Sequence, residues 1–489
     1  MVLLSCPVIS VAGWLVCVVV EVLLKIQPLP TTAKKITKII FINLKTPPRV
    51  FLLKLIIQQI GGFKKLFFFN LEDEYASSVP GMVELVSLAG LAIFGIYAFV
   101  KTLHIGQIKW LKKGFFKINI LALVFLLLTF VVVGTSVYLN LNKDSIHWDA
   151  VALYDARAKF LEAGMKFSDM PALSRFDNLN KYYYLLYPPY TSIAHFFWEK
   201  VFDVSKFPVG IYYSLNLLLL TIGVFFLTRK SLGEKTAAFL SLIVASNDVI
   251  FLISIKEYTN LPYTLHLVFG IFLIFNYLRN KKLWELLFGT FFISTSVWIR
   301  FLEPIWLVVL LSFILTSLIG KTFKNVLIPG ILLAVFCLLE YFTWSYFIKV
   351  VGENPSVLNF SGLYLTEPLV GIFTGSWVNV LVIILRSWGI PLLIHLTTLA
   401  AVLFGWHKIR RNGGILFLFF IVLLSLALYT FQLYFVSFQT DWWETVGRSL
   451  ARSSSYLVPV TGFILLNIIT TRGSNKKRKG AEKFINEKT

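Results

Sequence analysis

The stretch "INILALVFLLLTFVVVGTSVYL", residues 118–139, decides the fold. It carries no charge and is long enough to cross a bilayer, which takes roughly 20 apolar residues. Directly after it comes "HWDAVALYDARAKFLEAG", residues 147–164, with two aspartates, an arginine, a lysine and a glutamate. A membrane exit followed at once by dense charge is the pattern to explain. Composition sets the class: 489 residues are 57% hydrophobic and only 15% charged, too few charges to cover a soluble protein of this size. The chain reads as an all-α polytopic membrane protein.

Further spans fall near 209–228, 236–254, 262–278, 283–300, 304–320, 326–348, 389–406, 414–437 and 455–471. Their connections form two sets. "KWLKKGFFK", "TRKSLGEK", "RNKK", "GKTFKN", "HKIRRNGG" and the tail from 472 to 489 are basic, and alternation puts all of them on one face. The positive-inside rule makes that face cytoplasmic. The loops 142–208, 255–261, 301–303, 349–388 and 438–454 then face outward, at a plasma membrane. The formal charge of +21 therefore belongs to cytoplasmic loops. Nucleic-acid binding is not indicated, because no stretch interleaves basic residues with stacking aromatics.

Residues 1–117 form a membrane extension of unclear topology. Segments 3–25 and 83–101 read as spans; the lysine-rich stretch between them either crosses as an imperfect helix over 48–70 or lies on anionic lipid. The total is about twelve spans. Cys6, Cys17 and Cys337 all lie in apolar runs, so neither disulfides nor a zinc site are indicated.

Within the first outward loop, Val151, Tyr154, Ala158 and Leu161 recur at helical spacing, and Asp155, Lys159 and Glu162 can pair along the same helix. Such a helix lies flat at the interface, and Gly164 suits its end. Asp149 precedes it, as an N-cap, a functional carboxylate, or both. Next, "KYYYLLYPPYTSIAHFFWEKVF", residues 181–202, breaks at Tyr187-Pro188-Pro189-Tyr190 and continues as a second interfacial helix. His195 has no partners at metal-ligand spacing.

An acid just after a span, two interfacial helices and a Tyr-Pro step together resemble the GT-C superfamily of integral-membrane glycosyltransferases. The likeness is nearest the protein-mannosyltransferase-like and aminoarabinose-transferase-like branch, which uses polyprenyl-phosphate sugars. It covers about 118–471 and implies a transmembrane catalytic domain over those residues. It carries the catalytic acid onto Asp149. Ala150 stands where the family usually has a following Glu, which leaves Asp155 as the second acid. "KEYTNLPYTLHLVFG" (256–270) resembles an outward loop with a tyrosine-x-Asp-x-Pro pattern, with Asn260 in place of that Asp and Glu257 as the nearest acid. "STSVWIRFLEPIWLVV" (294–309) resembles the Arg-x-x-Glu hairpin through Arg300, Glu303 and Pro304. "WWETVGRSLARSSSYLVPVTGFILL" (442–466) resembles the last outward loop, through Arg448 and Arg452.

The resemblance implies transfer of a hexosyl or pentosyl group from a polyprenyl-phosphate donor to a lipid, glycan or protein acceptor in the cell envelope. Asp149 would take the acceptor proton, while Tyr187, Glu257, Asn260, Arg300, Glu303, Arg448 and Arg452 would bind substrate. Guanidinium groups suit a phosphate leaving group through their planar donor fork. Each arginine, Arg386 included, also reads as a snorkelling interface anchor. Glu340 lies inside a predicted span, either lining a cavity or hydrogen-bonded. No metal constellation is evident, and an obligatory cofactor is not expected; Asp149 with Asp155 or Glu257 is the place a divalent cation would sit. Alternatives are a multi-pass transporter, a lipid flippase or a polysaccharide polymerase.

Overall fold

In the computed structural model, the residues described are 119–142, 150–166, 187–301, 303–319, 324–351, 371, 375, 377–388, 390–406, 412–438 and 443–470. The chain divides into two units, Met1–Lys101 and Thr102–Thr489, and every described residue lies in the second. The expectations for residues 1–117, for Asp149 and for the basic tail lie outside the described residues.

All regular structure among the described residues is helical. In chain order, α1 is Ile120–Leu141, and a π-helical turn Val151–Asp155 runs into α2, Ala156–Glu162. There follow α3 (Tyr190–Val201), α4 (Gly210–Leu232), α5 (Glu234–Ser246), α6 (Asp248–Ile255), α7 (Asn260–Asn280), α8 (Leu283–Ile299) and α9 (Ile305–Ile319). The series ends with α10 (Lys324–Val351), α11 (Trp377–Trp388), α12 (Ile390–Phe404), α13 (Gly413–Val436), α14 (Trp443–Ser453) and α15 (Leu457–Thr470). Five helices among them are long and apolar enough to cross a membrane, or six if α5 and α6 are one bent span. The protein is an all-α membrane protein.

Why α1 sits where it does is visible along its length. Asn119 caps it, accepting from the Leu121 amide at 3.2 Å. The face it buries is Ala122, Thr129, Val133, Ser136 and Asn140, small or polar residues at helical spacing, while Leu127, Phe130 and Val131 are exposed. Lipid is as apolar as leucine, so spanning helices associate through small residues and interhelical hydrogen bonds. Ser136 Oγ lies 2.8 Å from Ser214 Oγ on α4 and 2.9 Å from Ser254 Oγ on α6. Asn140 Nδ2 donates to Ser214 Oγ at 2.8 Å and to the Ser254 carbonyl at 2.9 Å. Helices α7 and α8 meet at paired glycines: a Cβ on Gly270 would stand 3.0 Å from the Gly289 carbonyl oxygen.

Two readings need correction. The span expected over 236–254 is not one helix. It breaks by 57° at Asn247, whose backbone is extended and whose side chain accepts from the Ile250 amide at 3.1 Å. Side-chain capping offers the Ile250 amide a partner outside a continuous helix, so the chain can turn there. The stretch 349–388, read as loop throughout, contains α11. Its twelve residues are too few to cross a bilayer, which takes roughly 20.

Candidate functional site

The first charged segment folds as a helix with one irregularity. In the π turn the Ala156 amide donates to the Val151 carbonyl, five residues back. That extra residue rotates the face, leaving Val151 exposed while Tyr154 and Asp155 turn inward. Asp155 accepts from Lys159 Nζ at 2.9 Å, as the four-residue spacing predicts. Glu162 instead bonds Lys200 of α3 at 2.8 Å, clamping the two short helices together. Gly164 ends the segment at φ +80°, a conformation glycine adopts without steric cost.

Helix α3 starts right after the two prolines and docks inward. His195 is fully buried, with Nε2 at 2.9 Å from the Tyr213 hydroxyl of α4. Burial lowers its pKa to about 4, so it stays neutral and serves as a structural contact. Tyr154 packs its ring edge-on against Tyr187 at 6.2 Å, and burial pushes its phenol well above the ordinary range. The Tyr187 carbonyl accepts from Arg157 Nη1 at 2.8 Å.

These helices converge with the turn between α8 and α9. Arg300 Nε donates to Glu303 Oε1 at 2.6 Å, and Nη2 pairs with the same oxygen. Arg300 Nη1 donates to Thr259 Oγ1 at 3.2 Å, and the Tyr154 hydroxyl reaches that same threonine at 3.4 Å. Arg300 Nη2 also reaches Ser453 Oγ of α14 at 3.5 Å. Tyr429 of α13 donates to the Ser453 carbonyl at 3.1 Å and lies 3.4 Å from Glu303 Oε2. Tyr263 donates to the Glu303 carbonyl at 3.2 Å. One guanidinium thus ties the ends of α7, α8 and α14 together, beside the first interfacial helix.

The remaining expected residues divide. Arg452 lies over the Tyr258 ring, 4.4 Å from its centre, and forms no ion pair with any described carboxylate. Arg452 adjoins Ser453 in sequence, and the Tyr258 beneath it adjoins Thr259, so a second guanidinium flanks the Arg300 cluster. Helix α14 also carries Arg448, whose side chain lies outside the described residues. Arg386 is exposed on α11, a helix whose Trp388 ring, not the arginine, packs edge-on against Tyr429 of the cluster at 6.2 Å. Asn260 opens α7 and is buried. Glu257 is buried with a left-handed backbone, φ +59°, which non-glycine residues rarely adopt outside functional or constrained sites. A Cβ on Gly210 would stand 2.9 Å from Glu257 Oε1 and 2.6 Å from Asn140 Oδ1, so both oxygens face the same point, kept open by a glycine.

At the edge of this region Glu199 of α3 meets Asp155. Burial, and the neighbouring Asp155 carboxylate, raise the Glu199 pKa from 4.5 to about 7. The sign follows from linkage. The folded chain holds the proton on Glu199 across that interval, whereas the unfolded chain releases it. Stability from this contact is complete below pH 4.5 and falls as pH rises toward 7. Glu199→Gln should therefore flatten the pH dependence of the thermal midpoint between about pH 4.5 and 7. An unchanged slope in that variant would refute the coupling.

Among the described residues, no group of three His, Cys, Asp or Glu side chains gathers as a metal site would require. Of the expected residues, Arg300 and Glu303 enter the cluster; its other members Thr259, Tyr429 and Ser453 carry no charge and announce themselves only by position. No protein-family model, curated protein or solved structure matches the chain.

Proposed function

We propose that the chain is a glycosyltransferase of GT-C type, moving a sugar from a polyprenyl-phosphate donor to an acceptor hydroxyl or amine on the extracytoplasmic side. The observation that carries the reading is Arg452, a guanidinium seated on Tyr258 with no described carboxylate to neutralise it. Arg300 is already neutralised by Glu303 and serves as scaffold, whereas Arg452 has no described carboxylate and can hold an anion such as a leaving phosphate. Polarity along the bundle supports an outward site. Arg229, Lys230, Arg279, Lys281 and Lys282 lie at the ends of α4 and α7 away from the cluster, where Arg279 bonds Ser231. By the positive-inside rule that end is cytoplasmic and the Arg300 end outward, in a chain of about twelve spans.

In this reading Asp149 deprotonates the acceptor, Arg452 and Arg448 stabilise the departing lipid phosphate, and Tyr187, Glu257 and Asn260 contact the sugar. The test is transfer by the purified protein in nanodiscs, with radiolabelled polyprenyl-phosphate hexoses and pentoses as donors and membrane lipid extract as acceptor. Arg452→Ala should reduce turnover by about 10²-fold or more, the scale of removing one group that stabilises a developing oxyanion. Arg452→Lys should recover only part, because a point charge lacks the fork. Unchanged turnover in Arg452→Ala would remove the phosphate role.

A transporter is the second reading, favoured by the break at Asn247, since transporters use discontinuous helices. Transport sites face the bundle interior, however, and Ser246 and Asp248 beside the break are exposed. Gradient-driven uptake into vesicles by the purified protein would decide for transport.

A further inference from the structure

Helices α5 and α6 together are apolar enough to form one span, yet the chain bends by 57° between them. Helix α5 runs antiparallel to α4 from the turn at Gly233, and Ser241 Oγ of α5 donates to the Thr221 carbonyl of α4 at 2.9 Å, which sets those residues level. From there α5 climbs six residues to Asn247, roughly 9 Å, whereas α4 has eleven left to Gly210, roughly 16 Å. The bend therefore falls short of the Gly210 end of the bundle. Asn140 Nδ2 bonds both Ser214 Oγ and the Ser254 carbonyl, so the far end of α6 is still about one turn below Gly210. Helix α6 buries Ile250, Ile253 and Ser254 and leaves Asp248 and Leu252 exposed. A carboxylate thus stands on the outer surface of the bundle, within a span. Its place in the first turn of α6 favours the anion. Among the described residues it accepts from the Val249 amide at 2.9 Å and forms no ion pair.

Ionisable residues within spans ordinarily turn to the bundle interior or to a water-filled cavity. Asp248 turns the other way, so whatever meets it comes from the bilayer. A carboxylate only accepts, so its best partner donates and carries positive charge. A primary ammonium has three donors, whereas a quaternary ammonium has the charge and no N–H. Below the bend the surface is apolar. Phe239 lies seven residues before the exposed Ser246, on the same face of α5, and is itself exposed beside Phe125 of α1, with ring centres 5.2 Å apart. A lipid brings these features in the same order, a cationic head on a hydrocarbon chain. We propose that the α5–α6 bend docks a phospholipid with a primary-ammonium headgroup, its ammonium on Asp248 and a chain along Phe239. The site goes beyond the transfer reaction proposed above and does not rest on it, since Arg452 and Asp149 have no part in it.

Native mass spectrometry of the full chain in detergent tests this, with phosphatidylethanolamine and phosphatidylcholine of identical chains added in equal amounts. The wild-type chain should retain the ethanolamine lipid about tenfold over the choline lipid, the scale of one hydrogen bond to a charged group. Asp248→Asn keeps an acceptor for the Val249 amide and removes the charge, and it should retain the two lipids equally. Asp248→Glu should keep the preference. The thermal midpoint should move in neither variant, because the side chain is exposed and packs against nothing that holds the bend. Equal retention of the two lipids by the wild type, or an undiminished preference in Asp248→Asn, would overturn the proposal. So would a second protein chain that stays bound to the wild type and is lost from Asp248→Asn, since the carboxylate would then be a contact for another membrane helix.

Discussion

Under the proposed transfer reaction, Asp149→Asn should lower turnover by roughly 10²–10⁴-fold while donor-lipid binding stays close to that of the native protein. The magnitude is that of a general base, and the split between turnover and binding is what removal of a group acting only in the transition state produces. Asp149 lies outside the described residues, but its neighbour Ala150 is fully buried and clusters with Leu153 and Tyr154. Tyr154 in turn reaches Thr259, which receives the Arg300 guanidinium. Asp155 supplies the control. Its carboxylate is already engaged by Lys159, so Asp155→Asn should lower the thermal midpoint more than turnover. Single-turnover rates and equilibrium donor binding, measured on both variants, separate the two acids. Full turnover in Asp149→Asn would end the general-base assignment.

Glu303→Gln should be the most damaging conservative change to the fold. It leaves the Arg300 charge, 16% exposed, without its carboxylate. Breaking a buried ion pair from one side costs about 3–5 kcal/mol, because the surviving charge has lost water and partner together. Tyr429, whose hydroxyl lies 3.4 Å from Glu303 Oε2, would also face a neutral amide in place of the carboxylate. Thermal unfolding in a fixed detergent reads this as a large fall in midpoint. Exchanging both residues for apolar ones of similar volume should cost much less than the single change. A double variant no more stable than Glu303→Gln would show that the turn is held by something other than the pair.

The helices were legible because hydropathy is a property of whole segments: each expected span over 118–471 falls on a helix or, for 236–254, on the α5–α6 pair, and five of these, or six with the bent pair, are long and apolar enough to cross a membrane. The Arg300–Glu303 pair was legible because its members stand three positions apart across one turn. The rest depends on contacts between distant segments. Ser453 lies 153 residues from Arg300, and Tyr429 lies 126 from Glu303. Neither serine nor tyrosine is unusual where it stands. The break at Asn247 was written locally, in Ser246-Asn247-Asp248, but a window of spanning length averages three polar residues away. The left-handed backbone of Glu257 had no local signal, since glutamate is not a residue that seeks φ above zero.

Helices α8 and α9 have 17 and 15 residues. At 1.5 Å per residue they reach only about 25 and 22 Å, against a hydrocarbon slab of about 30 Å. Shortfall of this kind is met by pinching of the surrounding bilayer. A bilayer crossed by this hairpin would thin beside the turn that joins α8 to α9, or the flanking side chains would snorkel to its surfaces.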